Sequence, residues 1–172
     1  MLRRAVSSFL LAVLTAVGAA TEETEGPWIR GVYTGESPRP VAVTEAEGWF
    51  RASKIAGDTP KAFVLMGTGR SMQPLYEPGT ILVLRQLSYA ELKHGQTVLY
   101  RNKANKVVAH VLVARARDGW RVRGLNNPLH DMEPVHAGNL VGVVMAAFEP
   151  TRHPHAMTVA GGRRAAGSTA RP

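Results

Sequence analysis

Two residues stand where their types and surroundings suit nucleophilic chemistry, Ser71 and His110. Ser71 lies in Gly67-Thr68-Gly69-Arg70-Ser71-Met72-Gln73-Pro74. Glycine and proline there force a tight, irregular backbone path. A strand-like run, Ala62–Met66, precedes this turn, and a second, Thr80–Arg85, follows it. A hydroxyl on a sharp turn at a strand end is exposed and held still, as a nucleophile must be. The same composition also suits an ordinary loop serine. His110 is the one histidine of six that falls inside a strand pattern, Val107-Val108-Ala109-His110-Val111-Leu112-Val113-Ala114. Both faces of that strand are apolar, which predicts burial. A buried imidazole is either a core side chain satisfied by hydrogen bonds or a general base.

A nucleophile and a base need a third group to orient the imidazole. The best candidate is Asp131, in Gly124-Leu125-Asn126-Asn127-Pro128-Leu129-His130-Asp131. Asp131 also fits a turn acid facing solvent. A third option is a metal held by His130, Asp131 and His136, although their spacing matches no tight ligand pattern. The chain has no cysteine, which excludes thiolate nucleophiles, thiolate metal sites and disulfides.

The elements that must position these residues are mostly β. Candidate strands are Ala62–Met66, Thr80–Arg85, Thr97–Arg101, Val107–Arg115, Trp120–Gly124 and Leu140–Phe148. Turn signals separate them, among them Glu77-Pro78-Gly79, His94-Gly95 and the hairpin signal Asp118-Gly119. Short strands at this spacing predict an antiparallel sandwich or barrel. Before them, Thr44-Glu45-Ala46-Glu47 forms a capping-box pattern. It predicts a short helix through Trp49, Phe50 and Ile55, stopped by Gly57-Asp58-Thr59-Pro60, with Trp49 and Phe50 packed on the domain. Ser88 and Glu91 predict a second, shorter helical turn.

The chain divides into residues 1–20, a linker and short helix over 21–60, a β domain over 61–150, and a basic tail over 151–172 expected to lack order. Arg3 and Arg4 followed by the uncharged run Ala5–Ala20 read as an export signal. Sixteen residues of helix span roughly 24 Å against a hydrocarbon core of about 30 Å. A cleaved signal, a retained membrane anchor and a buried amphipathic helix remain the alternatives. The net charge is +8, but most of the excess sits in the two ends; residues 21–150 carry 15 basic and 13 acidic side chains. A folded nucleic-acid platform carries its basic patch on the domain, so no nucleic-acid partner is expected.

Residues 63–148 resemble the superfamily of signal peptidase I and LexA-type self-cleaving repressors. Gly69-Arg70-Ser71-Met72-Gln73-Pro74 is similar to that family's Gly-x-Ser-Met-x-Pro nucleophile box. Glu77-Pro78-Gly79-Thr80-Ile81-Leu82-Val83, Gly95–Arg101 and Asn139–Val144 resemble its following strands. Val108-Ala109-His110-Val111-Leu112 stands where the family places its general base. Gly124-Leu125-Asn126-Asn127 and then Asp131 resemble the Gly-Asp-Asn-Asn box and later acid of the endoplasmic-reticulum and archaeal type. Most bacterial signal peptidases and the repressors use lysine as base; here the aligned residue is histidine. Leu125 replaces the first acid of the box, and Gly69 stands where many signal peptidases have a Ser or Thr that lends an oxyanion hydroxyl.

The resemblance implies a mainly β, coiled-sheet catalytic domain of the Ser/His type. Ser71 would be the nucleophile, His110 the base and Asp131 the orienting acid. It implies a serine endopeptidase, exported or anchored on the outer face of the cytoplasmic membrane. Its substrates would be extended peptide segments with small side chains before the cut, as in signal peptide processing. No cofactor is implied. The alternatives are a catalytically inactive relative that binds peptides or scaffolds a partner, and a self-cleaving regulatory domain, against which the export-like N-terminus speaks.

Overall fold

The computed structural model describes residues 26–151. The export-signal expectation for residues 1–20 and nearly all of the basic tail lie outside the described residues.

Seven strands form one sheet in the order β4-β5-β9-β6-β7-β8, with β3 added beside β9. They are β3 (Val41–Val43), β4 (Ala62–Met66), β5 (Ile81–Arg85), β6 (Thr97–Arg101), β7 (Val107–Ala116), β8 (Gly119–Arg123) and β9 (Leu140–Pro150). The six strands expected from turn spacing are all present, with ends moved by no more than two residues. All pairings are antiparallel except β3 with β9, which is parallel. The protein is therefore mainly β, with one α-helix and a short 3₁₀ turn at Tyr89–Glu91 behind Ser88 among the described residues.

The sheet coils rather than lying flat. The β5–β9, β6–β9 and β7–β8 ladders each carry a register shift, and such bulges bend and twist a strand. Leu82 and Leu84 of β5, Leu99 of β6, Val111 of β7, and Val144 and Ala147 of β9 converge on one inner core, joined by partly buried Phe63 and Leu65 of β4. In a flat sheet β4 and β7 would lie about 19 Å apart, four steps of about 4.8 Å. Sharing one apolar cluster requires the sheet to curl back on itself. A second core behind β6–β8 gathers Val98, Tyr100, Leu112, Trp120, Val122, Val135 and Val143.

Helix α1 (Glu45–Asp58) is capped by Thr44, which accepts from the Glu47 amide. It buries Gly48 and Ala52 and packs on Ile81, Val83 and Phe148. The expectation that Trp49 and Phe50 pack on the domain is not met for Phe50, which is 67% exposed, while Trp49, at 37%, is partly covered. The stripe 48-52-55-56 faces the sheet, so at 100° per residue position 50 turns toward solvent while position 49 lies at the margin of the stripe.

Residues 26–43 hold more than a connector. A two-residue turn with positive φ at Arg30 and Gly31 joins β1 (Trp28–Ile29) to β2 (Val32–Tyr33), the geometry that suits a tight hairpin. Val32 inserts into the inner core, and Tyr33 stacks on His94 at 5.1 Å between ring centroids. Further on, β3 reaches the end of β9, and the Thr151 amide donates to the Val43 carbonyl at 2.7 Å.

Candidate active site

Ser71 lies in the fourteen-residue connection between β4 and β5. The mouth of that connection is closed by the Gly67 amide donating to the Thr80 carbonyl (2.8 Å) and the Gly79 amide to the Gly67 carbonyl (2.7 Å). Met72, Leu75 and Tyr76 are buried in the inner core, so the turn is anchored by packing as well as by backbone bonds. Burial pushes the Tyr76 phenol far above its usual range, and its O–H donates to the Pro38 carbonyl at 2.8 Å. On the other side the Asn126 amide donates to the Ser71 carbonyl at 2.8 Å. Asn126 Oδ1 in turn accepts from the Arg30 guanidinium at the β1–β2 hairpin tip. The serine backbone is thus held from two directions.

His110 sits in mid-β7, 4% exposed. It pairs across β6 with Val98, and Val108 pairs with Tyr100. Directly opposed residues share a face, so His110 and Tyr100 lie on one side of the sheet. β8 pairs with β7 only from Val111 onward. Val107–His110 therefore have β6 on one edge and no strand on the other, and the serine turn approaches at that gap.

His110 Nε2 and Ser71 Oγ are 3.0 Å apart. His110 Nδ1 is hydrogen-bonded to Asp131 Oδ2. The same carboxylate oxygen accepts from the Tyr100 phenol. Asp131 is placed by the loop after β8, which folds back along that strand: its amide donates to the Val122 carbonyl at 2.9 Å, and Trp120 and Val135 exchange two bonds of 2.8 Å. Residues far apart in sequence, Ser71, His110 and Asp131, meet in one hydrogen-bonded line. The metal alternative is not assembled: among the described residues no group of three His, Cys, Asp or Glu side chains converges, and His136 Nδ1 accepts from the Gly138 amide.

Two features were not legible from residue type alone. Tyr100 reads as a core aromatic, yet its hydroxyl meets Asp131; burial, that hydrogen bond and the charges of Asp131 and Glu133 push its phenol far above the usual range. It remains a donor throughout the ordinary pH range. Gly124 is packed against the site: a Cβ there would stand 2.8 Å from His110 Nε2, 2.8 Å from Asn127 Nδ2 and 2.9 Å from the Ser71 carbonyl oxygen.

A cavity of about 280 Å³ adjoins Ser71. Thr68, Gly69 and Glu77 come from the serine connection, Met72 and Leu82 from the core, and Val107, Val108 and Ala109 from β7. Arg70 is exposed and does not line this cavity.

Leu125, at the position where the resemblance has an acid, is fully buried in the inner core with Met72 and Val111. Restoring an acid there by Leu125→Asp is expected to lower stability by about 3 kcal/mol or more, because a carboxylate in that cluster has no partner. Denaturant unfolding of the two proteins measures it; a loss under about 1 kcal/mol would show that the position tolerates charge.

No curated protein sequence matches the chain closely enough to count as a relative. Residues 31–145, two-thirds of the 172, match the Peptidase S24-like family. That span takes in the serine turn, the β7 histidine and the loop that carries Asp131. With its coiled, mainly antiparallel sheet, the chain belongs to the Peptidase S24-like family, within the LexA and signal peptidase I superfamily.

Proposed function

We propose that the protein is a serine endopeptidase of the Ser/His type found in endoplasmic-reticulum and archaeal signal peptidases. Ser71 is the nucleophile, His110 the general base and Asp131 the acid that orients the imidazole. The observation that carries this reading is the 3.0 Å approach of Ser71 Oγ to His110 Nε2, with Nδ1 engaged by Asp131.

Asp131 accepts a hydrogen bond from the Nδ1–H of His110, which keeps the proton on Nδ1 and leaves the Nε2 lone pair facing the serine. As Ser71 Oγ attacks a peptide carbonyl, Nε2 takes its proton. The tetrahedral intermediate collapses when His110 returns that proton to the departing amine. Water, deprotonated by the same nitrogen, then releases the acyl group from Ser71. The Ser71 amide meets no protein acceptor among the described residues, so it is available to the developing oxyanion.

An extended peptide fits the edge of β7 at Val107–His110, which β8 leaves open. The adjoining cavity, with Leu82, Met72, Val108 and Ala109 in its walls, suits small apolar side chains before the cut. The basic and then apolar residues 1–20 support a reading in which this cleavage occurs outside the cytoplasm, on an exported or membrane-anchored enzyme. Among the described residues no helix is long and apolar enough to cross a membrane.

A fluorophosphonate probe tests the site directly. Intact-mass analysis is expected to show one adduct, mapped to Ser71 by peptide fragmentation and absent from Ser71→Ala. Absence of an adduct from the wild-type protein under conditions that label a control serine hydrolase would favour a peptide-binding relative without catalysis.

A further inference from the structure

We infer that Tyr100 is a positioning residue of this site: its phenol O–H holds the Asp131 carboxylate against His110 Nδ1 and so keeps Nε2 directed at Ser71. The inference rests on the reading of Ser71, His110 and Asp131 given above and adds a fourth member to it.

Asp131 lies on a loop rather than on a strand. Its apolar neighbours Leu129 and Met132 are 76% and 98% exposed, so neither anchors this part of the loop in a core. The Asp131 amide is tied to Val122, which fixes the backbone but not the torsion of the carboxylate, whose side chain is 15% exposed. Among the described residues, the carboxylate bonds only to His110 and Tyr100, both at Oδ2. His110 cannot define an orientation for the group that is meant to orient it. Tyr100 can, because its ring is 2% exposed in the core behind β6–β8 and its backbone is a rung of both the β6–β7 and β6–β9 ladders.

The phenol is also well suited electronically. It remains protonated wherever the enzyme would work, so it always donates. The charged groups facing it are Asp131 and, in the same open pocket, Glu133. The Lys103 amide donates to both Glu133 oxygens, at 2.9 and 2.7 Å. Glu133 is therefore held on the β6–β7 turn, and Asp131 is left to accept from Tyr100. Without the phenol, the carboxylate can rotate off Nδ1, and the imidazole proton is then free to sit on Nε2, the wrong nitrogen for a base facing Ser71.

Tyr100→Phe removes the hydroxyl and keeps the ring. Nitrogen-15 NMR of the full-length labelled protein, with His110 assigned by its loss in His110→Ala, reads the tautomer without requiring turnover. Wild type is expected to show a single Nδ1–H tautomer, and Tyr100→Phe a mixture of both. In parallel, kcat on an export-signal peptide is expected to fall about tenfold with KM unchanged, the pattern of a misplaced base rather than a damaged binding surface. An unchanged single tautomer in Tyr100→Phe overturns the inference, as does an unchanged kcat where the wild type is active. If the wild type cleaves nothing, the peptidase reading fails, while the tautomer comparison still decides the role of Tyr100.

Discussion

His110→Ala and Asp131→Asn are each expected to lower kcat/KM on an export-signal peptide by about 10³- to 10⁴-fold, roughly 4–5.5 kcal/mol of transition-state stabilisation. The two losses have different causes. Without the imidazole nothing takes the Ser71 proton, since Nε2 is the nitrogen 3.0 Å from Oγ. With asparagine at 131 the imidazole stays, but the charged acceptor for its Nδ1 proton is gone, and the proton can settle on Nε2. His110 is buried, so alanine also leaves a cavity beside the inner sheet. His110→Gln, closer in volume, separates that packing loss from the chemical one: it is expected to melt near the wild type and be as inactive as the alanine variant. Steady-state kinetics with parallel thermal melts decide the matter. A kcat/KM within tenfold of wild type in any of these variants would remove the triad from the mechanism.

Gly124→Ala is expected to reduce kcat/KM by about 100-fold or more, for a steric reason. The added methyl would lie under 3.0 Å from the imidazole, the Asn127 amide and the Ser71 carbonyl at once. Two of these three atoms belong to the residues whose separation defines the site. The carbonyl is also the acceptor that ties the serine turn to Asn126. Whichever neighbour gives way, Oγ and Nε2 move apart or rotate out of line. Overpacking of this kind costs about 1–3 kcal/mol of stability, so the fold is expected to survive the change. Gly69→Ala is the control for a methyl near the serine: its Cβ meets nothing within 4 Å, and its melting temperature should match wild type. Activity of Gly124→Ala within a few-fold of wild type would mean the loop yields without disturbing the pair.

Much of this architecture can be read from residue order. The strands of the domain are bounded by glycine, proline and asparagine turns, and His110 is conspicuous because no other polar side chain interrupts the run Val107–Ala114. Ser71 shows itself through the turn it occupies. The three N-terminal strands leave no such trace. Two or three residues cannot display a period, and β3 is defined by a partner more than a hundred positions away. Tyr100 is hidden for the opposite reason: an aromatic in a strand is what a core requires, and its hydroxyl is invisible until a loop thirty-one residues later is folded against it. Leu125 is recorded correctly as an apolar residue, and only the comparison with an acid box made it look out of place. Phe50 shows the limit of inferring burial from size when a helix has a single stripe to bury.

The strand order carries a consequence for how the protein comes into being. β9 is the last strand among the described residues, yet it lies between β5 and β6. Before it arrives, β4 and β5 form one hairpin unit bearing Ser71, and β6, β7 and β8 form another bearing His110, with no ladder between the two. The ladders that join the piece carrying the hydroxyl to the piece carrying the imidazole are both supplied by residues 140–150. The site is therefore a property of the closed sheet and of neither hairpin piece alone.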